Sequence, residues 1–483
     1  MQVSKVIKGT GIYFIGKILY LVTNFVLMAL LARRMGPNSF GIFSLALGII
    51  MTLQLINDFG LNQTITFFIP SSKSPQETKS YLNYAFRIRL FITSITSFLL
   101  ILFAGTISKF YDMPELKAPL IIFSISNFSY SLLTFFSSAL IAFKRVGKAV
   151  LLDLSQTLPR IFAVLFLILY GSHFIYVGFS SGFVLSLIFS MVLMWFVYPK
   201  ENGFKKINKK TFFKYSGFIY SGLIMMVFYN KLTPLILGKF ADSSQVAFFG
   251  ISISITSMIF LLSITLGTVL QPFITSSNKE ELKKTLPRFF KYNFIVTIPL
   301  GLLAIIFRKE LILFFYKDAY LPSTPSLIVC SIASMIYGIL TLWNNIALGF
   351  GKAKLFSKMR SLLAIISLIA SLIFIPSLSK IGYGAVGASL VYLITCFFEG
   401  FYLYLKLNEK FFPYKYLFKS LIAGISILPV LLLKNYLNGF LLLSVGGVIG
   451  VMLYSGALYK LNFFDKEDKK FLKTLKSKLT LRG

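Results

Sequence analysis

The sequence contains few charged residues for its length. Charged residues make up 13% of the 483 residues, whereas hydrophobic residues make up 56%. Soluble domains carry about 25% charged residues, and a water-soluble chain of this length would have to cover two or three domains with polar surface. This composition cannot do so. We therefore predict an integral membrane protein.

Cysteine and histidine are also scarce, which limits the chemistry. The two cysteines, Cys330 and Cys396, each lie inside an apolar run, so we expect no disulfide framework and no cysteine-based metal site. The single histidine, His173, excludes catalysis by a metal that several histidines hold. No loop exceeds roughly 20 residues, which leaves no room for a soluble catalytic domain. We expect no enzymatic activity, no metal and no cofactor, and the sequence leaves open whether an ion, H+ or Na+, is coupled to its activity.

Long apolar runs dominate the rest of the chain. A transmembrane helix needs roughly 20 apolar residues, and about 14 such spans can be marked. They lie at about 9–32, 41–69, 82–107, 119–142, 150–171, 174–198, 215–238, 246–274, 290–307, 325–349, 357–378, 383–405, 416–433 and 440–459. The first ends in Arg33 and Arg34 without a small-residue cleavage pattern, so we interpret it as a retained span rather than a signal peptide. The predicted fold class is an all-α polytopic membrane protein.

The positions of the lysines and arginines indicate the significance of the net charge of +33. Such a charge can indicate a nucleic-acid-binding protein, but the lysines and arginines are concentrated in every second loop. The densest segments are 200–214, 279–291 and 460–482. The positive-inside rule then places both termini in the cytoplasm of a multi-pass protein of the cell (plasma or inner) membrane. We expect membrane lipids, and no nucleic acid, as partners.

An internal repeat at an offset of about 205 residues indicates two lobes. Segment 31–43 matches 237–249, segment 147–149 matches 351–353, and Gly178 matches Gly384. Six spans separate the halves, so both cross the membrane in the same direction and should form two pseudo-symmetric six-helix lobes around a cavity, as in transporters. The predicted organisation is an N-lobe at 1–198, a basic cytoplasmic linker at 199–214, a C-lobe at 215–405, two further helices at 406–459 and a basic cytoplasmic tail at 460–483.

Polar residues in spans 1 and 7 are candidates to line that cavity. Span 1 carries four polar residues on one helical face: Tyr13, Lys17, Tyr20 and Asn24. In span 7, Asn230 occupies the position equivalent to Asn24, and Lys231 follows it. Because ionisable groups are costly inside a bilayer, they usually face a cavity or a partner. Snorkelling of Lys17 to the interface is the alternative.

Span 5 offers a third polar face. Asp153, Gln156 and Arg160 are spaced so that they share one side of a helix. Arg160 follows Pro159, which leaves a backbone carbonyl without its helical donor. Arg160 can therefore line the cavity, or it can pair internally with Asp153.

The remaining buried polar residues are harder to assign from the sequence. Asp58 in span 2 is a counter-ion for Lys17 or Arg160, or a proton or sodium site. Arg89 in span 3 and Arg360 in span 11 are cavity candidates or ordinary positive-inside charges. Glu399 in span 12 and the Asn344–Asn345 pair in span 10 complete the set.

The cavity candidates contain more cations than anions. Unpaired cations in a low-dielectric cavity favour an anionic ligand, and arginine and lysine are the residues that hold phosphate. The sequence therefore predicts a phosphate-bearing substrate. A cationic drug would need the opposite balance.

Short motifs resemble a known transporter family. They are Arg33–Phe43 (RRMGPNSFGIF) between spans 1 and 2, Asp58–Asn62 (DFGLN) in span 2, and the turn after span 4 that ends in Gly147 and Lys148. With the arrangement of six, six and two spans, they resemble the polysaccharide or O-antigen flippases of the multidrug/oligosaccharidyl-lipid/polysaccharide exporter superfamily.

The resemblance implies a monomeric flippase for a polyprenyl-diphosphate-linked oligosaccharide. Its lobes would rock to expose a cationic cavity to each side in turn, while the lipid tail stays in the bilayer along spans 13 and 14. A lipid II-type flippase would have a similar cavity, so it stays an alternative. A cation-coupled multidrug antiporter is disfavoured because span 1 lacks an acidic residue, and a polysaccharide polymerase because the loops are short.

Overall fold

The computed structural model describes most of the chain, namely residues 2–143, 145–171, 174–199, 203–261, 263–264, 266–267, 270, 274, 279–350, 352–407 and 412–465. Within its helices, the side chains of residues 2–18, 146, 221–223, 225–231, 279, 284, 349 and 353–354 lie outside that description. All regular structure in the described part is helical. The all-α fold class is therefore confirmed.

The α-helices follow one another along the chain with short connections. They are α1 Gln2–Met35, α2 Pro37–Asp58, α3 Leu61–Ser71, α4 Pro75–Phe110, α5 Lys117–Ala142, α6 Val146–Ser155, α7 Leu158–Tyr170, α8 Ile175–Trp195, α9 Lys209–Phe240, α10 Ser243–Ser257, α11 Lys279–Ile306, α12 Arg308–Phe315, α13 Thr324–Gly349, α14 Ala353–Ser379, α15 Gly384–Leu407, α16 Tyr414–Ile425 and α17 Gly439–Lys460. Short 3-10 helices lie at Pro114–Leu116, Asp318–Ser323 and Leu428–Asn435.

Eleven stretches of the described residues are long and apolar enough to cross a membrane. They are Pro37–Ser71, Pro75–Phe110, Pro114–Ala142, Gly147–Tyr170, Ile175–Trp195, Glu280–Ile306, Asp318–Leu348, Leu355–Ser379, Gly384–Leu407, Tyr414–Asn435 and Gly439–Lys460. These correspond to predicted spans 2–6 and 9–14. Predicted spans 1 and 7 include side chains outside the description, and predicted span 8 includes residues outside it, so the count of 14 stays a prediction.

Helix α4 has its polar face inside and its apolar face outside. Arg89 is only 1% exposed, and Thr96 is buried on the same side. Phe91 is 68% exposed, and Phe98 and Leu102 are exposed with it; their spacing places them on one face. Such a surface in water would be an aggregation liability. In a bilayer it is the face that lipid chains cover.

The chain packs as two compact units, Met1–Ile251 with Ser357–Val391, and Ser252–Phe356 with Tyr392–Gly483. The lobes predicted at 1–198 and 215–405 rest on a sequence repeat, and their boundaries stay a prediction.

A buried hydrogen-bond network joins α2, α4 and α5 in the first unit. Gln54 Nε2 donates to Asn127 Oδ1 at 2.8 Å, and Asn57 Nδ2 donates to the same oxygen at 3.0 Å. Thr96 Oγ1 donates to Asn57 Oδ1 at 2.6 Å. Because lipid tails offer no hydrogen bonds, polar side chains of this kind bind transmembrane helices together, each bond contributing about 0.6 kcal/mol.

The fifth predicted span is broken where Pro159 enters the helix. Pro159 has no N–H to donate to the carbonyl of Ser155, and Ser186 Oγ of α8 donates to that carbonyl instead, at 2.8 Å. The two helices approach closely there, because α8 presents Gly182 to the break. A methyl group at Gly182 would lie 2.5 Å from the Cα of Pro159.

The second predicted span is broken between α2 and α3. Phe59 and Gly60 take positive φ angles of 46° and 72°, which suits glycine and is uncommon for other residues. Helix α9 packs against this break: Ser216 Oγ donates to the Phe59 carbonyl, and the ring of Tyr220 lies 4.7 Å from that of Phe59. A methyl group at Gly60 would lie 2.5 Å from the Ser216 carbonyl oxygen.

The second unit uses the same kind of buried polar contact. Asn293 of α11 is buried and donates to the Gly338 carbonyl of α13 at 3.0 Å, while its Oδ1 accepts from Ser263 at 3.0 Å. Near the end of α11, Lys434 Nζ pairs with Glu310 at 2.9 Å.

We predict that Gly182→Ala destabilises the first unit. The added methyl group would meet the backbone of α7, which cannot move aside without opening the Ser186 bond, and overpacking of this kind costs about 1–3 kcal/mol. Thermal unfolding in detergent measures the effect. Gly217→Ala is the control, because a methyl group there has no atom within 4 Å. Equal melting temperatures for the two variants would contradict the prediction.

Candidate functional site

All eight predicted site residues belong to the first unit. The structure describes the side chains of five of them, Asn24, Asp58, Arg89, Arg160 and Arg360. The other three, Lys17, Asn230 and Lys231, have side chains outside the described residues, so their part in a site stays a prediction.

Arg160 projects from the first turn of α7, directly after the break in span 5. Its backbone N–H donates to the Thr157 carbonyl at 3.1 Å. In a regular α-helix it would donate to the Gln156 carbonyl, which therefore lacks that hydrogen bond. Arg160 Nη1 donates to the Gln156 carbonyl at 3.0 Å, and the guanidinium lies 5.9 Å from the ring centre of Phe179. Among the described residues, its buried Nε has no hydrogen-bond partner. The predicted internal pair with Asp153 is therefore not what holds this guanidinium.

Polar residues of α1 lie beside those of α6. Tyr20 donates to Gln156 Oε1 at 3.4 Å, and Gln156 Nε2 donates to Asp153 Oδ1 at 3.2 Å. Predicted spans 1 and 5 cross the membrane in the same direction, so the next turn of each helix places Asn24 and Arg160 at a similar depth. The buried Oδ1 of Asn24 has no partner within the described part of the chain. Together these helices present an acceptor and a cationic donor that are still available to a ligand.

Asp58 is paired with Arg89, a partner that the sequence analysis does not name. Arg89 Nη1 lies 3.1 Å from Asp58 Oδ1, which also accepts the N–H of Asn62 at 3.2 Å. The other donors of Arg89 reach the Ser131 carbonyl at 3.2 and 2.9 Å, and Thr134 Oγ1 at 2.8 Å. Neither Lys17 nor Arg160 is needed as a counter-ion for Asp58.

Arg89 is 1% exposed and Arg360 is 9% exposed, so neither is an exposed charge. Whether they are positive-inside charges stays a prediction. The many bonds of Arg89 favour a structural role, in which it joins α4 to the break between α2 and α3 and to α5.

Tyr130 is a site residue that the sequence analysis misses. It lies on α5, where its hydroxyl interacts electrostatically with Arg89 and also with Tyr20, Asp153 and Arg160. The signal was present in the sequence: four polar residues of span 4 recur at the spacing of one helical face, namely Asn127, Tyr130, Ser131 and Thr134.

The second unit buries the predicted acidic residue of span 12. Glu399 is fully buried, and Asn344 Nδ2 donates to its Oε1 at 2.8 Å. The expectation that these two residues belong to a buried polar set is confirmed.

A polar cavity of about 580 Å3 also opens in the first unit, beside the connection from α4 to α5. Lys239 Nζ and Asp112 Oδ2 form an ion pair across it at 2.7 Å, but Asp112 is largely exposed, and exposed pairs contribute little to stability. Burial raises the pKa of Tyr111, which lines this cavity, to about 12. Its hydroxyl therefore stays protonated at neutral pH.

Known proteins resemble this chain over most of its length. The sequence matches the polysaccharide biosynthesis protein family over residues 6–278, more than half of the chain. An uncharacterized membrane protein of Methanocaldococcus jannaschii is 23% identical over 496 residues, which cover 96% of this chain and 98% of that protein.

Solved structures share the fold at low sequence identity. The lipid II flippase MurJ, in an inward closed conformation, matches with a TM-score of 0.78 over 93% of this chain and 98% of its own, at 15% identity. An inward-facing multidrug resistance MATE family transporter matches with a TM-score of 0.66 over 80% of this chain and 94% of its own, at 11% identity. The solved structures show a shared fold, and the family match shows that the chain belongs to the polysaccharide biosynthesis protein family that the motifs indicate.

Proposed function

We propose that the protein is a flippase that moves a polyprenyl-diphosphate-linked oligosaccharide from the cytoplasmic to the outer leaflet of the cell membrane. The observation that carries this proposal is Arg160. It lies midway along the candidate span Gly147–Tyr170, and among the described residues its guanidinium bonds only to a backbone carbonyl. An arginine at that depth favours an anionic partner, and its fork of donors matches the geometry of a phosphate as well as that of a carboxylate.

Residues next to Arg160 suit the rest of such a cargo. The amide of Asn24 and the hydroxyls of Tyr20 and Tyr130 can exchange hydrogen bonds with sugar hydroxyls. Lys17 and Lys231 would add charge for a diphosphate. The polyprenyl tail needs no polar site, because the bilayer already solvates it.

Alternating access is the mechanism that the fold supports. The charged headgroup would enter from the cytoplasm, bind Arg160, and leave to the outside when the cavity opens there. An inside-negative membrane potential drives anions outward and is worth about 2.3 kcal/mol per charge per 100 mV. The potential alone could therefore bias transport of a diphosphate in this direction, whether or not H+ or Na+ is also coupled.

A lipid II-type flippase is the second candidate. The likeness of this chain to MurJ over 93% of its length favours it, and lipid II also presents a diphosphate to the cavity. Arg160 on α7 would bind the diphosphate, so it does not distinguish lipid II from another polyprenyl-diphosphate-linked oligosaccharide.

A cation-coupled drug antiporter fits less well. A cationic drug would need an uncompensated carboxylate, whereas Asp58, the carboxylate that α2 buries, is neutralised by Arg89 at 3.1 Å. The positive charge of Arg160 would repel a cationic drug.

Lipid analysis of cells that lack the protein tests the function. We expect a completed polyprenyl-linked oligosaccharide to accumulate on the cytoplasmic side while surface glycan is lost, because transport is the step removed. Mass spectrometry of lipid extracts identifies the cargo. Accumulation of lipid II would instead support the second candidate, and unchanged lipids with new sensitivity to cationic dyes would contradict both flippase proposals.

Substitution of Arg160 tests the site. Arg160→Ala should lower the flipping rate on the order of 100-fold, because it removes a charge-assisted contact to the phosphate. Arg160→Lys should retain charge but lose the bidentate contact, with a loss of about tenfold. A fluorescent polyprenyl-diphosphate sugar in proteoliposomes gives the rate. Arg145→Ala, at an exposed arginine beside α6, is the matched control; flipping at the wild-type rate in folded Arg160→Ala would overturn the assignment.

We predict that substitutions in the Asp58–Arg89 pair lower the stability of the protein. Arg89→Met leaves a buried carboxylate without its partner, which costs about 3–5 kcal/mol when one member of a buried pair is removed. Asp58→Asn should cost a similar amount, and the double variant should cost less than the sum of the two. Thermal unfolding measures all three, with Arg87→Ala on the exposed face of α4 as control. Additive losses would show that the two residues do not stabilise one another.

A further inference from the structure

The polar cavity of the first unit, beside Asp112 and Lys239, has no part in the function proposed above. Its volume of about 580 Å3 falls in the range of about 300–1,000 Å3 that is usual for small-molecule sites. The start of α2 lines it, together with the connections from α4 to α5, from α9 to α10 and from α14 to α15. The predicted topology places these four segments on the outside of the membrane.

Hydrogen bonds and close packing hold the walls of this cavity in place. Gln245 Nε2 donates to the Gly382 carbonyl at 2.9 Å, and Gln245 Oε1 accepts the N–H of Ala385 at 3.0 Å. This side chain therefore fixes the turn from α14 to α15. A methyl group at Gly41 of α2 would overlap the Ser243 carbonyl, so α2 packs directly against the start of α10. These contacts give the cavity its shape without a ligand.

Polar groups of the lining are available to a ligand. The Oγ of Ser379 is buried, and within the described part of the chain it has no hydrogen-bond partner. Such a hydroxyl costs free energy unless a molecule in the cavity bonds to it. Asn38, Glu115 and Asp242 line the same cavity with exposed side chains. An amide, a hydroxyl and carboxylates are thus offered to one small volume.

The charge of the lining disfavours a phosphate or a metal ion as the ligand. Three carboxylates, Asp112, Glu115 and Asp242, stand against one lysine, Lys239, which leaves an excess of two negative charges. The lysine also pairs already with Asp112, at 2.7 Å. Within the described residues, no three acidic, histidine or cysteine residues are grouped so that they could hold a metal ion. An uncharged polar molecule fits this lining best.

We propose that this cavity binds an uncharged sugar of the exported glycan on the outer side of the membrane. Carboxylate and amide oxygens accept hydrogen bonds from sugar hydroxyls, and the Ser379 hydroxyl can donate or accept one. The rings of Tyr111 and Phe240, which also line the cavity, offer apolar faces to the C–H groups of a sugar. The proposal rests on the proposed function for the identity of the glycan, whereas the binding itself needs no transport. Arg160 and this cavity would recognise different parts of one cargo.

Saturation-transfer NMR on the full chain in nanodiscs tests the binding. The probes are glucose, galactose, mannose and N-acetylglucosamine, four uncharged sugars. We expect saturation transfer from the protein to at least one of them. Pyrophosphate should not displace that sugar, because an anion prefers a cationic site and this lining is acidic. Absence of transfer to all four sugars, or displacement of the bound sugar by pyrophosphate, would overturn the proposal.

Two substitutions in the lining locate the sugar. Ser379→Ala should weaken its binding about fivefold, because one neutral hydrogen bond is lost, without lowering the melting temperature, because the hydroxyl has no partner among the described residues. Asp242→Ala should weaken binding on the order of tenfold, because a charged acceptor is lost. The matched control is Asp318→Ala, at an exposed carboxylate that precedes α13 in the second unit. Wild-type sugar affinity in both cavity variants would place the sugar elsewhere and overturn the proposal.

This proposal and the flippase function fail separately. Arg160→Ala should lower the flipping rate but leave sugar binding unchanged, because Arg160 does not line this cavity. Sugar binding by a protein whose loss changes no lipid-linked oligosaccharide would retain the site and reject the flippase function. Flipping by a protein that binds none of the four sugars would reject the site alone.

Discussion

Hydrocarbon offers no hydrogen bonds, and the first unit is built around that constraint. Every break in a membrane helix leaves backbone groups that water cannot reach, and each break described above has a side chain that takes their place. Ser186 supplies a donor to the carbonyl that Pro159 leaves open. Asp58 accepts the Asn62 N–H at the start of α3, and Arg89 in turn neutralises the charge that this acceptor brings into the bilayer.

Two arginines of the first unit differ in how many of their donors are used. The guanidinium of Arg89 donates hydrogen bonds to Asp58, to a backbone carbonyl and to Thr134. Few of its N–H groups remain for a ligand, and the side chain holds neighbouring helices together. Arg160 has one carbonyl and the face of Phe179. Arg160 is half-buried, and its Nε has no partner among the described residues. The proposed binding of an anion by Arg160 therefore rests on the number of donors left over, and not on residue type or depth.

The sequence predicts the fold class and the buried polar residues, but not their pairing. Apolar runs and basic loops are local signals, and they suffice for the spans. Asp58 and Arg89 lie on different helices, so their contact depends on how α2 and α4 pack, which no local pattern encodes. Tyr130 and Asn127 are neutral, and neutral polar residues are common enough in membrane helices to pass unnoticed. Only their shared face on α5 distinguishes them.

Glycines let two helical hairpins of the first unit pack closely. Gly178 and Gly182 of α8 press against α7, where added methyl groups would lie 2.6 Å from the Phe162 carbonyl oxygen and 2.5 Å from the Pro159 Cα. In the second half of the sequence, a methyl group added at Gly387 of α15 would lie 2.8 Å from the Phe374 carbonyl oxygen of α14. Both are helical hairpins with short connections, and only a residue without a side chain lets the second helix fold back so closely. Any larger residue at Gly182 or Gly387 would push the two helices of its hairpin apart, so these glycines set how closely each hairpin closes.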